Sequence, residues 1–300
     1  MGEIRIWRQC LLIVIPGPSS LNLGAKVAEI AGCRRVDLDY KTFPDGESYI
    51  RLREAVAGEA VALVHTTFPQ QDKRLIELLL LTDALKDMGA KKVTVIAPYM
   101  AYARQDMRFR DGETVSIKTL FKLIEGAGAD QFITVDVHKE STLSAFSIKA
   151  KNLYASEVIG KYIRDLNLKS PYILSPDKGA IMIAKRVAEI VGAEYGNFEK
   201  SRDRITGAIT VKGERVDASG RDIAIVDDMI STGGTIASAA KMMKDRGASR
   251  VMAFCTHPLL VAGARERMKI SGVDEVLGTD TVESEISAIS VAPLIVKGLS

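Results

Sequence analysis

The chain has 300 residues, 47% of them hydrophobic, with 41 basic and 38 acidic residues and a formal net charge of +3. This composition excludes a disordered chain and provides for two ordinary domains or one large one. The near balance of charge excludes a global field that would draw nucleic acid or an anionic membrane, and leaves only a local anion site open.

From the start of the chain, the first apolar run, Cys10 to Ile15, is far shorter than the roughly 20 residues that span a bilayer, and no small-residue cleavage pattern follows it. A cytoplasmic protein with no membrane partner is expected. Cys10, Cys33 and Cys255 are scattered, with no CxxC, and read as buried thiols rather than as a disulfide or zinc framework. Strands are expected near 11–15, 61–65, 93–97 and 132–135, and again near 172–175, 223–226, 251–254 and 276–278. Amphipathic stretches lie between them, and Gly32, Gly89, Gly192 and Gly247 stand where helices need a left-handed C-terminal cap.

The two series of strands belong to a repeat. PGPSSLNLGAKVAEIAG from Pro16 lies over PDKGAIMIAKRVAEIVG from Pro176 without a gap, sharing the proline, VAEI and the last glycine. GEAVALVHT from Gly58 parallels GRDIAIVDD from Gly220, KDMGAKKVTVIAPY from Lys86 parallels KDRGASRVMAFCTH from Lys244, and GADQFITVD from Gly128 matches GVDEVLGTD from Gly272 more weakly. The order is kept throughout. The fold expected is α/β: two similar domains, residues 1–147 and 148–300, each a mainly parallel sheet flanked by helices. Such sheets bind ligands at the carboxyl ends of their strands.

One such junction is AIVDDMISTGGTIASAA, from Ala224. A buried strand runs into Asp227 and Asp228, then into Ser231-Thr232-Gly233-Gly234-Thr235, and a helix is expected from about Thr235. The glycines allow close backbone approach and positive φ, and free amides with hydroxyls at a helix start make an anion cradle. Neither GxxxxGK[ST] nor GxGxxG occurs in the chain. The paired acids suit the adjacent hydroxyls of a sugar, or a metal held through water, so a phosphorylated pentose is the expected ligand. The equivalent junction of the first copy, HTTFPQQDK from His65, lacks both features.

VDDMISTGGT resembles the phosphoribosyl-pyrophosphate loop of the type I phosphoribosyltransferase fold. A chain with two such domains, the first without the loop, resembles the ribose-phosphate pyrophosphokinase, or phosphoribosyl pyrophosphate synthase, family; the motif matches run from Phe43 to Thr235. The resemblance implies two phosphoribosyltransferase-like domains and transfer of the β,γ-diphosphoryl group of ATP to the C1 hydroxyl of ribose 5-phosphate. It also implies Mg²⁺ as cofactor and a homo-oligomer.

Other segments acquire roles by the same resemblance. FPDGE supplies Phe43, Asp45, Gly46 and Glu47 for the adenine end of ATP, and YARQD supplies Arg104 and Gln105 for its phosphates. By themselves PDG is a turn signal and Arg104 a surface arginine. His138 of DVH and Asp177 of SPDKG follow apolar runs, and in the family these positions serve magnesium; because Mg²⁺ prefers oxygen, the histidine is expected to act through water. Lys200-Ser201-Arg202 matches a catalytic Lys-x-Arg, with Arg202 also reaching ribose 5-phosphate. The phosphorylated sugar falls to Asp227, Asp228, Ser231, Thr232, Gly233, Gly234 and Thr235, with Ser231 where many members have aspartate. A phosphoribosyltransferase that consumes the activated sugar would not need FPDGE, YARQD or Lys-x-Arg. A catalytically silent regulatory subunit would show damage at Lys200, Arg202 or the paired acids, and none is damaged.

Overall fold

The computed structural model describes residues 12–202, 209–213 and 216–300, with 199–202 and 209–213 described by their backbone alone. The chain forms two compact units, the first of residues up to 153 together with 291–300 and the second of residues 154–290.

In the first unit the chain order is β1 (Leu12–Pro16), α1 (Leu21–Ala31), β2 (Arg34–Arg35), β3 (Leu38–Thr42), β4 (Ser48–Leu52), β5 (Ala60–Val64), α2 (Gln71–Asp87), β6 (Lys92–Ala97), α3 (Ser116–Gly126), β7 (Gln131–Val135) and β8 (Lys149–Leu153). Six of these strands form one sheet in the order β2-β1-β5-β6-β7-β8, and every neighbouring pair in it is parallel. Strands β3 and β4 form a separate antiparallel hairpin. The inner strands β1, β5, β6 and β7 are nearly continuous apolar runs, as in a parallel sheet buried on both faces, whereas the edge strands β2 and β8 carry Arg34, Arg35, Lys149 and Lys151. Phe121, Phe132 and Phe146 close one end of the core, with ring centroids 4.1 to 5.6 Å apart.

The second unit continues with α4 (Ser156–Asp165), β9 (Tyr172–Ser175), α5 (Ile181–Val191), β10 (Glu194–Arg202), β11 (Ile209–Gly213), β12 (Asp222–Ile230), α6 (Gly234–Asp245), β13 (Arg250–Pro258), α7 (Ala264–Ile270), β14 (Glu275–Thr279) and β15 (Ser287–Ile289). Its sheet order is β11-β10-β9-β12-β13-β14-β15, with β10 and β11 antiparallel and the other neighbours parallel. With β11 set aside this is the order of the first sheet, so the collinear repeat corresponds to a repeated topology. Both orders reverse direction between a strand and the one that follows its edge excursion, β1/β5 and β9/β12. That crevice is where an open α/β sheet receives its ligand.

The helix ends agree with the glycine pattern: Gly32 and Gly192 cap α1 and α5 at φ 61° and 75°, and Gly89 and Gly247 follow α2 and α6 at φ 80° and 82°. The domain division differs from the one expected. Strand β8 completes the first sheet beyond residue 147, and the last helix, α8 (Ala292–Leu299), belongs to the first unit. It packs against α1 and β8, where a side chain on Gly298 would meet Leu153 at 2.9 Å, and Lys151 Nζ donates to the Gly298 carbonyl at 2.6 Å. Among the described residues no helix is long and apolar enough to cross a membrane. Cys255 is buried, Cys33 is half-buried, and Cys10 lies outside the described residues.

Candidate active site

In the second unit, β12 is buried from Ile223 to Val226 and does not stop at the acids; it runs through them to Ile230, paired with β13 as far as Pro258. Asp227 and Asp228 are therefore held on a strand, half-buried, and the Asp228 amide donates to Asp227 Oδ1 at 2.9 Å. Asp177 lies just past the end of β9, the neighbouring strand, where its Oδ1 accepts the amides of Gly179 at 2.8 Å and Ala180 at 3.3 Å. Burial, then the charge of Asp228 and a hydrogen bond from it, then the charge of Asp177, push the Asp227 carboxyl well above the usual range. The carboxyl groups at this strand crevice suit the hydroxyl donors of a ligand.

The turn after Ile230 is tied down from behind. Val261 N donates to the Ser231 carbonyl at 3.0 Å, and the Arg267 guanidinium donates to the carbonyls of Thr232 and, at 3.2 Å, Ala262. Gly233 sits at φ 72° as the N-cap of α6, and a Cβ there would meet Met268 Cγ at 3.1 Å and the Ala264 carbonyl at 3.3 Å. Gly234 is different. It opens α6 with ordinary φ, and its Cβ would meet only Thr232 Oγ1, at 3.9 Å. The first amides of α6 have no intrahelical acceptor, no side chain caps them, and no acid lies in the first turn. An anion at that helix start would meet unsatisfied donors and the positive end of the dipole.

The first unit has the same two junctions with other contents. Gly17 stands where the repeat places Asp177, and His65 where it places Asp227. The His65 ring is fully buried and lies against Gly17, so closely that a Cβ on the glycine would be 2.3 Å from Nδ1. Burial lowers its pKa to about 4 despite Glu77, whose Oε2 is 3.9 Å from Nε2; the imidazole is neutral, and that approach is not an ion pair. Helix α2 starts from Gln70 at φ 61°, a backbone like that of Gly233, but with Asp72 in its first turn. An acid therefore occupies the electrostatic position that α6 leaves open, and the crevice is filled by an imidazole.

What the first unit does present is the β3–β4 hairpin and the segment after β6. Phe43 to Glu47 form the hairpin tip, closed by Phe43 N to the Glu47 carbonyl at 2.8 Å, with Gly46 at φ 99°. Phe43 is exposed and meets Tyr49 edge-on at 6.2 Å, with Lys41 Nζ 4.7 Å from the Phe43 centroid. Arg104 is exposed and Gln105 half-buried in the turn that follows Tyr102. Helix α2 joins these segments: Asp72 accepts from the Tyr102 hydroxyl, while Lys73 donates to Thr42 Oγ1 at 2.8 Å and Glu77 accepts from Tyr40 at 2.9 Å and Ser48 at 2.6 Å. His138, exposed beyond the end of β7, lies beside YARQD as well, since Lys139 pairs with Asp106 at 2.9 Å, and its hydrogen bond, with the charges of Lys139 and His138, holds the Asp106 carboxyl below the usual range. Thus FPDGE, YARQD and DVH gather at one end of the first unit. Asp177, Asp227, Asp228 and the Ser231–Thr235 turn gather at the corresponding end of the second. The backbone of Lys200 and Arg202 lies on β10, paired with Val211 and Ile209 of β11; their side chains lie outside what the structure describes.

Sequence reasoning missed Glu77, His65, Tyr40 and Arg267. A signal existed for Glu77, an acid on the leucine face of α2 beside Leu75, Leu78 and Leu81. None existed for the others, which act through contacts distant in sequence.

A doubled α/β fold whose second copy carries paired acids ahead of an open helix start defines an enzyme of the phosphoribosyltransferase-like class. Residues 12–128 match the N-terminal domain of ribose phosphate pyrophosphokinase, and residues 198–296 match the phosphoribosyl synthetase-associated domain. The ribose-phosphate pyrophosphokinase of Saccharolobus solfataricus is 40% identical over 292 residues, 96% of this chain and 100% of that protein. The protein of that name from Pyrococcus abyssi is 41% identical over 262 residues, 87% of this chain and 90% of its own. The crystal structure of phosphoribosylpyrophosphate synthetase from Mycobacterium smegmatis matches with a TM-score of 0.84 at 29% identity, covering 96% of this chain and 97% of that one. The chain belongs to the ribose-phosphate pyrophosphokinase family and is an enzyme of that activity.

Proposed function

We propose that the chain binds ATP on its first unit and ribose 5-phosphate on its second, and moves the β,γ-diphosphoryl group to the C1 hydroxyl, releasing AMP and phosphoribosyl pyrophosphate. The observation that carries this reading is the junction of β12 and α6, where Asp227 and Asp228 precede a turn whose carbonyls are bound from behind and whose amides open a helix. The acids accept hydrogen bonds from the ribose hydroxyls, and the amides of 232–235 with the hydroxyls of Ser231, Thr232 and Thr235 bind the 5-phosphate. The plugged crevice of the first unit supports the division of labour, because it has neither the acids nor the open helix start.

For ATP, Phe43 offers a ring face to adenine, Asp45 and Glu47 accept from its amino group, and Arg104 and Gln105 donate to the phosphate oxygens. In the reaction the C1 oxygen gains a bond to the β-phosphorus as the bond to the α,β-bridging oxygen breaks, and the hydroxyl gives up its proton. Negative charge spreads over the phosphoryl oxygens, and Lys200 and Arg202 are assigned to meet it.

Among the described residues no three His, Cys, Asp or Glu side chains form a metal cluster. That sparse set, one Asp177 oxygen already engaged by two amides and the Asp227–Asp228 pair pressed together, suits Mg²⁺, which prefers oxygen and keeps several waters and substrate phosphates. Asp177 would serve magnesium in the second unit and His138, through water, in the first, and the metal would neutralise phosphate charge. The test is incubation of the protein with ATP, Mg²⁺ and ribose 5-phosphate. AMP and phosphoribosyl pyrophosphate are expected in equal amounts; ADP in their place would overturn diphosphoryl transfer.

A further inference from the structure

The two faces of the first sheet differ in chemistry. One packs Ile13, Val61, Val93 and Phe132 into an apolar core. On the other, under α1 and α8, the register sets Ala62, Thr94, Gln131 and Lys149 in one row across β5, β6, β7 and β8, and strand alternation puts Lys92 on the same side. Thr94 is only 4% exposed and Gln131 only 7%. A cavity of about 370 Å³ lies between these residues and the two helices. It sits where the strands begin, the end opposite the junctions assigned to the reaction.

Polar groups buried beneath helices are costly unless they are paired. Lys92 Nζ donates to Gln131 Oε1 at 3.0 Å, which uses the acceptor of that amide. The Gln131 NH₂ and the Thr94 hydroxyl have no hydrogen-bond partner among the described residues, and both residues line the cavity. The facing wall is apolar, formed by Leu12 and by Val296 and Leu299 of α8, with Cys33 beside it.

Charge points the same way. Lys92, Lys149 and Lys151 crowd this edge, and burial, then the charges of Lys149 and Lys92, lower the Lys151 pKa. Lys151 is engaged by the Gly298 carbonyl. Among the described residues none of the three lysines forms an ion pair, with the terminal carboxylate of Ser300 at the cavity or with any other group, and no acidic side chain lines the cavity. Two unsatisfied donors beside an uncompensated ammonium suit an anion with two acceptor oxygens, and the apolar wall suits a hydrocarbon body.

We propose that this cavity is a binding site for a small aliphatic carboxylate, its oxygens at Lys92, Thr94 and Gln131 and its chain along Val296 and Leu299. A bare inorganic anion would leave the apolar wall wet and most of the volume unfilled. The site stands apart from the assignments of ATP and ribose 5-phosphate and does not depend on them.

Hexanoate is the probe, and the readout is alkylation of Cys33 by iodoacetamide in the full chain, resolved from the other two cysteines by peptide mass spectrometry. A ligand of that size binds with a Kd of about 1 mM, so about 10 mM hexanoate should slow the Cys33 reaction about ten-fold. Lys92→Met and Thr94→Val should each cut the protection to about two-fold or less, with kcat and both substrate KM values within about two-fold of the parent. Lys92 is exposed, so its variant keeps the comparison available if Thr94→Val does not fold. Isothermal titration of hexanoate into parent and variants gives the same comparison if the thiol is unreactive. Equal protection by hexylamine would overturn recognition of an anion. Equal protection by phosphate would reduce the site to an adventitious ion only. No binding of hexanoate, or full protection in both variants, would end the proposal.

Discussion

Gly17 is pressed against His65, with room for no more than a hydrogen where the other unit carries the Asp177 side chain, and His65 occupies the strand position that Asp227 holds there. One topology has thus been used twice at its switch point, once filled by a neutral ring and once lined with carboxylates. Gly17→Ala should destabilise the first unit by about 1 to 3 kcal/mol, the usual cost of overpacking a closed core. His65→Ala should relieve that strain, so the two substitutions together should cost less than their sum in urea unfolding. Additive costs would mean that the ring moves aside freely.

The buried imidazole also makes stability depend on pH in a defined window. The folded-state pKa of His65 is about 4 against an ordinary 6.5, so between those values the unfolded chain binds the proton that the folded chain refuses. The contribution is fully present above pH 6.5 and is lost as pH falls towards 4, by up to about 3 kcal/mol. Unfolding free energies from pH 7 to 4.5 should fall more steeply for the parent than for His65→Gln. Parallel curves would show that His65 titrates normally.

The two glycines of the sugar-phosphate turn should respond differently to alanine. Gly233→Ala meets positive φ and contacts at 3.1 and 3.3 Å, so a loss of stability of about 1 to 2 kcal/mol is expected. Gly234→Ala meets only an ordinary contact at 3.9 Å and should unfold like the parent. Any methyl there projects where the ligand backbone contact is assigned, and KM for ribose 5-phosphate should rise about ten-fold or more. An unaffected KM would place the phosphate elsewhere.

Asp227→Asn and Asp228→Asn should weaken ribose 5-phosphate about ten-fold or more each and leave ATP affinity within about two-fold, since each removes a charged acceptor from the sugar and nothing from the hairpin. Isothermal titration with each substrate separately would show it. Equal weakening of both would end the division of labour between the units.

Lys200→Ala and Arg202→Ala should lower kcat roughly 10²- to 10³-fold, with folding and ATP affinity nearly intact, because cations that meet charge developing at the phosphoryl group act mainly in the transition state. The double variant should lose less than the product of the single losses if both act on the same charge. Single variants within a few-fold of the parent kcat would remove them from the mechanism.

Along the chain, the sequence by itself determined what local order encodes. The repeat, the eight principal strands, the glycine-ended helices and the acid pair followed by a glycine turn are all legible, because side-chain period, backbone freedom and charge act within a few residues of one another. FPDGE and YARQD were legible only through resemblance, since an exposed Phe43 or Arg104 has no local signature. The tertiary structure decided which segments meet. Strand order brings Asp177 beside Asp227 and Gly17 beside His65, and α2 fastens the hairpin through Glu77 while its first turn takes Tyr102. It also returned α8 to the first sheet, although the apolar stripe of Leu294 and Ile295 suits any apolar surface. Hydrophobic periodicity specifies that a face will be buried; the partner that buries it is chosen by shape, by the satisfaction of polar groups such as Glu77, and by the space a glycine leaves.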